Sequence, residues 1–324
     1  MHEQHAHPKS QQKQNQQQQN NILIFLSLWC IGLTFIILTT SFITYKHPHY
    51  YLPKLTFGNC LLSQLSSILT DTNPNNLLHP FQHLPRSHPE FCTLNTSTSV
   101  PSKTVGFAAV GVVLDNNNTL LLTRRSKQLK SFPTAWVFPG GHLDPKENFT
   151  VAMIREVQEE TGIQLVYSQN EGEWYYNNMK CSIQPILLYE SLYPRGAEVP
   201  KKQTLVIYYA VVLPVNYSEV KLSIQKGEID AYVWVHKELL YNMIFNYKDE
   251  KSKEDYVYGY LYKEDDGNKT NVITVKEKFN YLNFRPPYFD NGEDLSSVNE
   301  TPTRAEYVAH GHRTAIKLLA EGNV

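Results

Sequence analysis

Gly141-His-Leu-Asp-Pro-Lys-Glu147, seven further residues, and then Arg155-Glu-Val-Gln-Glu-Glu-Thr-Gly162-Ile163 form the stretch that decides how this chain folds. Pro139-Gly140-Gly141 breaks the preceding strand and lets the backbone turn tightly beside a ligand. The residues that follow predict a helix from about Phe149 to Thr161. Gly162 stops it, being suited to the left-handed position past a helix end. At about 100° per residue, Glu156, Glu159 and Glu160 share an arc of about 100°. Ile154, Val157 and Thr161 fall on the roughly opposite arc and are expected to pack on a sheet. Three carboxylates on one face repel one another unless a cation sits among them. Hard oxygen ligands on a rigid element suit Mg2+ or Mn2+, ions that bridge pyrophosphate oxygens and lower the pKa of an attacking water. Glutamates alone at this spacing are usually a solvated helix face. Gly141, Glu147, Arg155 and Gly162 at fixed offsets tip the reading toward a cation site.

Outward from this stretch, the chain alternates strands and turns. Val105 opens the apolar run VGFAAVGVVL, a buried strand; Asp115–Asn118 is a turn, and TLLLTRR is the returning strand. Further strands are expected at 183–193, 204–213 and 231–236. Tyr256–Tyr262 and Val272–Val275 flank an Asp-Asp-Gly turn and predict a hairpin. A helical repeat of Tyr307, Ala315, Leu318 and Leu319 predicts a closing helix over 305–320.

Gly141–Ile163 matches, at every defined position, the pattern G-x5-E-x7-R-E-U-x-E-E-x-G-U with U aliphatic, nine restricted positions over 23 residues. In this it resembles the Nudix hydrolases. The resemblance implies an α/β fold, an α/β/α sandwich around a mixed sheet, and hydrolysis of nucleoside diphosphates linked to another moiety. It implies Glu156, Glu159 and Glu160 as metal ligands, joined by the Gly140 carbonyl, with Glu156 or a neighbour assisting the attacking water. Glu147 and Arg155 would form the ion pair that fixes loop to helix. Glu228, six residues before Trp234, is the candidate for a further carboxylate from a distal loop; the alternative is a loop surface glutamate.

Beyond the box, the chain resembles the animal Nudix proteins of the messenger-RNA cap hydrolase type. The likeness runs through Phe91-Cys92, Leu120–Leu129, Trp136, Phe138–His142, Tyr189–Pro194, Pro200-Lys201, Val206-x-Tyr208 and Thr314–Leu318. A competing resemblance, to coenzyme A-cleaving Nudix enzymes, rests on Leu121-Leu122-Thr123-x-Arg125-Ser126 leading to Phe138-Pro139-Gly140-Gly141. Lys130 and Thr134 depart from that pattern, where Arg and Gly are expected. Arg124, Arg125, Lys127 and Lys130 form a local basic cluster that would grip substrate phosphates or an RNA backbone, or merely line an exposed loop. Trp136, Tyr189 and Tyr193 are the aromatics that would stack a base, unless they are core. A nucleotide-type small molecule or a capped RNA end is the expected partner, and no obligate protein partner is inferred. A catalytically silent nucleotide sensor would lack box glutamates; none is missing.

The start of the chain is different in kind. Residues 1–21 are a polar, Gln- and Asn-rich leader that lacks apolar surface to bury; disorder is expected, with His2, His5 and His7 part of it rather than a metal site. Residues 22–45, ILIFLSLWCIGLTFIILTTSFITY, carry no charge. As a helix they span about 36 Å, enough to cross a ~30 Å hydrocarbon core, so a single transmembrane anchor precedes the α/β domain. A cleaved signal peptide would have a shorter apolar region and a small-x-small cut site. Lys9 and Lys13 against Lys46 and Lys54 nearly balance the positive-inside rule. The family's intracellular substrates place the catalytic domain in the cytosol. Six Asn-x-Ser/Thr sequons, at Asn95, Asn117, Asn148, Asn216, Asn268 and Asn299, matter only if the domain faces a lumen. The expected organisation is therefore leader 1–21, anchor 22–45, an N-terminal lobe or linker 46–104, the hydrolase domain 105–245, and a hairpin and helix over 246–324 packed on it.

Composition narrows the rest. A formal charge of −1 over 324 residues gives no global pull on nucleic acid or anionic lipid, so a polyanionic substrate must be held locally. Cys30, Cys60, Cys92 and Cys181 have no CxxC spacing, which argues against a zinc site or a disulfide framework.

Overall fold

The computed structural model describes residues 52, 54–69, 76–88, 103–193, 200–246, 255–265, 268–284 and 306–322. The leader, the uncharged segment 22–45, Phe91-Cys92 and the Asp266-Gly267 turn lie outside them. Among the described residues no helix is long and apolar enough to cross a membrane.

In chain order the main elements are α1 (Leu61–Leu69), β1 (Arg86–Ser87), β2 (Gly106–Leu114), β3 (Thr119–Arg125), β4 (Ala135–Val137), β5 (Gly140–His142), α2 (Phe149–Thr161), β6 (Val166–Ser168), β7 (Glu173–Tyr176), β8 (Met179–Tyr193), β9 (Lys202–Val212), β10 (Ile229–His236), α3 (Lys237–Phe245), β11 (Tyr256–Asp265), β12 (Asn268–Asn280), α4 (Tyr281–Phe284), β13 (Tyr307–Val308) and α5 (His310–Ala320). The sheet runs β12-β11-β10-β3-β2-β9-β8-β7-β6. It is mixed: β2 is parallel to β9, whereas β3 and β10 are antiparallel, as are β8 and β9.

The unbroken apolar runs of the central strands have a simple cause: both of their faces are covered. Ala109 and Val113 of β2, with Leu205, Ile207 and Val211 of β9, point into one core. Val110, Val112 and Leu114, with Val206 and Ala210, point into the other. The first core is closed by α1 and α2 through Leu61, Leu65, Phe149, Met153 and Val157; the second by α3, α4 and α5 through Leu240, Phe284, Ala315 and Ile316. The result is the α/β/α layering that the resemblance implied. The described parts of 46–104 share the first core, and β1 pairs in parallel with β8 at Leu188 and Tyr189.

The turn predicted at 115–118 forms around Asp115, whose Oδ1 accepts from the Asn117 and Thr119 amides. β11 and β12 extend the predicted hairpin in both directions and join the sheet through β10. The closing helix is shorter than expected. Tyr307 and Val308 form β13, parallel to Ala135 and Trp136 of β4, and the helix begins at His310. An aromatic beside a β-branched residue is at home in a strand, and β4 offered a free edge that no local pattern announces.

Candidate active site

The box loop is shaped by contacts that only glycine permits. β5 lies against β2, pairing Gly140 with Val110 and Gly141 with Ala109. A Cβ on Gly140 would sit 2.5 Å from the Ala109 carbonyl oxygen and 2.7 Å from the Val110 Cα. A Cβ on Gly141 would fall inside the Glu156 carboxylate. Helix α2 then starts at Asn148, whose Oδ1 accepts from the Val151 amide at 2.9 Å, and ends at Gly162 with φ 76°. It seats on β2 at Gly111, where a Cβ would lie 2.5 Å from Val157 Cγ2. Val157 and Thr161 are buried against the sheet and Ile154 is half-buried, the apolar arc expected.

Arg155 ties loop and helix together. Its Nε donates to Glu147 Oε1 at 3.0 Å and its Nη2 to Glu147 Oε2 at 2.9 Å. Nη2 also donates to the His142 carbonyl at 3.0 Å, and Nη1 to Glu156 Oε1 at 2.8 Å and Glu159 Oε2 at 3.2 Å. Glu147 Oε2 in turn accepts from the Asp144 amide. This web raises the guanidinium pKa, chiefly through the Glu147 bond, so the charge is permanent.

Behind this web the carboxylates crowd. Glu160 is 6% exposed and its Oε2 is buried with no hydrogen-bond partner among the described residues. Burial, reinforced by repulsion from Glu156 and Glu228, pushes its pKa up to about 8, with Arg125 and a backbone hydrogen bond from Gly140 opposing. Glu156 is also raised, first by desolvation, against the pull of Arg155, with Glu159 and Glu228 adding repulsion. Glu228 is exposed, yet it reaches the same field: its carbonyl accepts the Ser126 amide at 2.7 Å, and Ser223 and Gln225 bond the last carbonyls of α2. The chain thus brings Glu156, Glu159, Glu160, Glu228, Gly140 and Arg125 to one place.

As they stand, no three His, Cys, Asp or Glu side chains among the described residues are gathered into a ready-made cation site. Arg155 Nη1 donates to both Glu156 and Glu159. The donor set nevertheless fits a hard divalent cation. It is all oxygen, and a buried carboxylate oxygen without a donor is costly unless a cation accompanies it.

Three of the residues expected to bind substrate are committed elsewhere. Trp136 is fully buried: its ring packs on Phe279 and Phe284, and its Nε1 donates to Glu306 at 3.0 Å, leaving no face for a base. Tyr189 is 4% exposed, with its hydroxyl 2.8 Å from His310 Nδ1. Arg124 is ion-paired with Asp230 at 2.7 Å and with Glu306. Arg125, whose Nε donates to the Ser131 carbonyl, is the basic-cluster residue that faces the carboxylates. Tyr193 stays at the surface, against Phe132. A residue without any local signal is His312. Half-buried, it accepts the Phe138 amide on its Nδ1 at 3.1 Å, two residues ahead of Gly140.

Comparison with known proteins agrees with this layout. The NUDIX domain family matches residues 106–259. The m7GpppN-mRNA hydrolase NUDT17 of Bos taurus is 32% identical over 166 residues, covering 47% of this chain and 51% of that protein. The protein of the same name from Danio rerio is 32% identical over 181 residues, covering 52% of this chain and 57% of that protein. The chain thus spans about half the length of these curated relatives. Among solved structures, the MutT protein from Methanosarcina mazei Go1 is 20% identical, covering 44% of this chain and 83% of that chain at a TM-score of 0.33.

Proposed function

We propose that this chain, whose residues 106–259 form a Nudix domain, hydrolyses the pyrophosphate bond of a nucleoside diphosphate linked to another moiety. The observation that carries the reading is the buried, unpartnered oxygen of Glu160 beside Glu156 and Gly140. Carboxyls this crowded on a rigid helix, with burial raising the pKa of two of them, are what a divalent cation would complete, and the bound cation would in turn hold a phosphate.

Glu156, Glu159 and Glu160, with the Gly140 carbonyl, would hold Mg2+ or Mn2+. When bound, the ion would offset charge on the phosphates and make water more acidic. The chain does the rest. Arg155, locked by Glu147, keeps helix and loop in register and lends Glu159, which is largely exposed, a partner it can leave at little cost. Arg125, which faces Glu160, would donate to phosphate oxygens. Glu228, exposed and coupled to Glu156 and Glu160, takes a proton from the attacking water. The water oxygen bonds to one phosphorus, and the bridging P–O bond breaks with its electron pair on the leaving phosphate. A two-phosphate bridge leaves one phosphate on each product, and the three-phosphate bridge of a cap leaves one on one product and two on the other.

Among substrates, a capped RNA end is favoured by the relatives' names, an NAD(H)-like dinucleotide offers the same kind of phosphate bridge, and a coenzyme A ester is the second reading, from the Leu121–Gly141 pattern. Residues 22–45 would anchor the chain in a membrane with the domain in the cytosol; resistance of the full-length protein to carbonate extraction would support the anchor. Full-length protein incubated with Mn2+ and capped RNA, NADH, ADP-ribose or an acyl-coenzyme A tests the chemistry. Cleavage of the phosphate bridge of at least one of them is expected, into two monophosphates for NADH or ADP-ribose and into a monophosphate and a diphosphate for capped RNA. Tight nucleotide binding without turnover would replace the enzyme by a sensor, and neither binding nor turnover would overturn the reading.

A further inference from the structure

Beside the box loop the described residues form a cleft of about 350 Å³ whose lining includes Lys103, Thr104, His142, Lys201, Lys202 and Thr204, with three lysines and no carboxylate. All three lysines are exposed, and among the described residues none is in an ion pair. Against a chain whose formal charge is −1, this is a strong local excess of positive charge. Two of the lysines are held in place. Lys103 Nζ donates to the Pro200 carbonyl at 3.1 Å and lies over the Phe57 ring, and Lys202 Nζ reaches Ser131 Oγ at 3.4 Å.

The position of the cleft gives the excess a meaning. His142 follows Gly141, whose Cα abuts Glu156. Ser131, which Lys202 touches, accepts the Arg125 Nε through its carbonyl, and Arg125 faces Glu160. Carboxylates and lysines are therefore joined along two routes, one through His142 and one through Ser131 and Arg125. A cation site with a basic cleft beside it matches a ligand whose phosphates do not end at the scissile pair. Phe57 and Lys103 lie ahead of the residues that match the Nudix domain, so the cleft is completed by a segment outside that match.

We propose that this cleft binds one further phosphate of the substrate, outside the phosphate bridge that is cleaved. The assignment rests on the pyrophosphohydrolase reading above. The same chemistry has two sources: a phosphodiester following a capped 5′ end, or a phosphomonoester on a ribose. Two matched pairs of compounds separate them, m7GpppA against m7GpppApG, and dephospho-coenzyme A against coenzyme A, each pair differing by one phosphate-bearing group.

With the full-length protein and Mn2+, kcat/KM is expected to be about tenfold higher for the extra-phosphate member of one pair. That pair identifies the source. In the K201Q/K202Q double variant the ratio should fall close to one. A wild-type ratio near one in both pairs, or a variant that keeps the wild-type ratio, overturns the proposal. If none of the four compounds is cleaved, the cleft is judged separately by calorimetric binding in EDTA, and the hydrolase reading fails only if NADH and ADP-ribose are also left intact. There too, tighter binding of the extra-phosphate member, abolished in K201Q/K202Q, is required.

Discussion

Two ionic clusters flank the central strands, and they are built on opposite plans. In one, Arg155 faces Glu147, Glu156 and Glu159, and beyond its reach Glu160 keeps a buried oxygen with no donor. In the other, Arg124 pairs with Asp230 and Glu306, and Glu306 also accepts from Trp136 Nε1 and Asn283 Nδ2. The second cluster is satisfied and joins the C-terminal segment to β3 and β4. The first is left short of positive charge. Folding alone would favour the second plan, because an unpaired buried carboxylate destabilises. Where a chain retains the first, the shortage points to a ligand.

The largest test of that contrast removes a charge from the deficient cluster. Glu159→Gln is expected to lower kcat by at least about a hundredfold, as loss of a metal-bound carboxylate does, while the melting temperature stays put. Glu159 is largely exposed, so its neutralisation disturbs no packing. Near-normal turnover in a folded variant would remove it from the ligand set.

Glu160→Gln probes the same deficiency through stability. A carboxyl whose pKa rises from 4.5 unfolded to about 8 folded holds its proton more tightly in the native state. Its contribution is fully present below about pH 4.5 and lost as pH rises through about 8. The metal-free wild type should therefore lose melting temperature relative to the Gln variant across that window, and Mn2+ should restore it to the wild type alone. Parallel curves for the two proteins would show that Glu160 is not strained by its burial.

The satisfied cluster should respond in the opposite sense. Glu306→Ala leaves Arg124 with Asp230 alone and strands the Trp136 indole N–H and Asn283, and is expected to cost about 3 kcal/mol, read as a lower midpoint in urea. Glu306 bonds Arg124, Trp136 and Asn283 rather than residues of the box, and it holds structure rather than substrate. A loss of turnover larger than the loss of stability would erase the distinction between the two clusters.

What the sequence could and could not say follows the same division. Helix α2 was legible to the residue because its signals are local: acidic spacing, an apolar arc and Gly162. The β2–β3 hairpin and β10 were legible from apolar runs and turn residues. The Glu147–Arg155 bond followed from the family pattern. Trp136, Tyr189 and Arg124 read as substrate contacts because nothing near them in the chain reveals what covers them. Their partners Glu306 and His310 are 170, 121 and 182 positions away. Tyr307 read as helical because the free edge of β4 is invisible to periodicity. His312 carried no signal at all, since its partner is a backbone amide.

His312 also provides the finest test, because it is where the two regions meet. Burial, aided by Arg125, drives its pKa down to about 3, so the imidazole is neutral at any working pH. Its Nδ1 accepts the Phe138 amide at 3.1 Å, which puts the ring proton on Nε2. Through that bond α5 fixes the strand end from which Pro139-Gly140-Gly141 turns toward the carboxylates, making His312 a positioning residue. His312→Ala should lower kcat about tenfold, the scale of a small misplacement at the site, with KM little changed. Asparagine carries a side-chain oxygen near the place of Nδ1, so His312→Asn should recover most of the loss. Packing alone predicts otherwise: Ala and Asn would be equally impaired, and both only in stability. Equal kcat values for the two variants would therefore confine α5 to holding the fold.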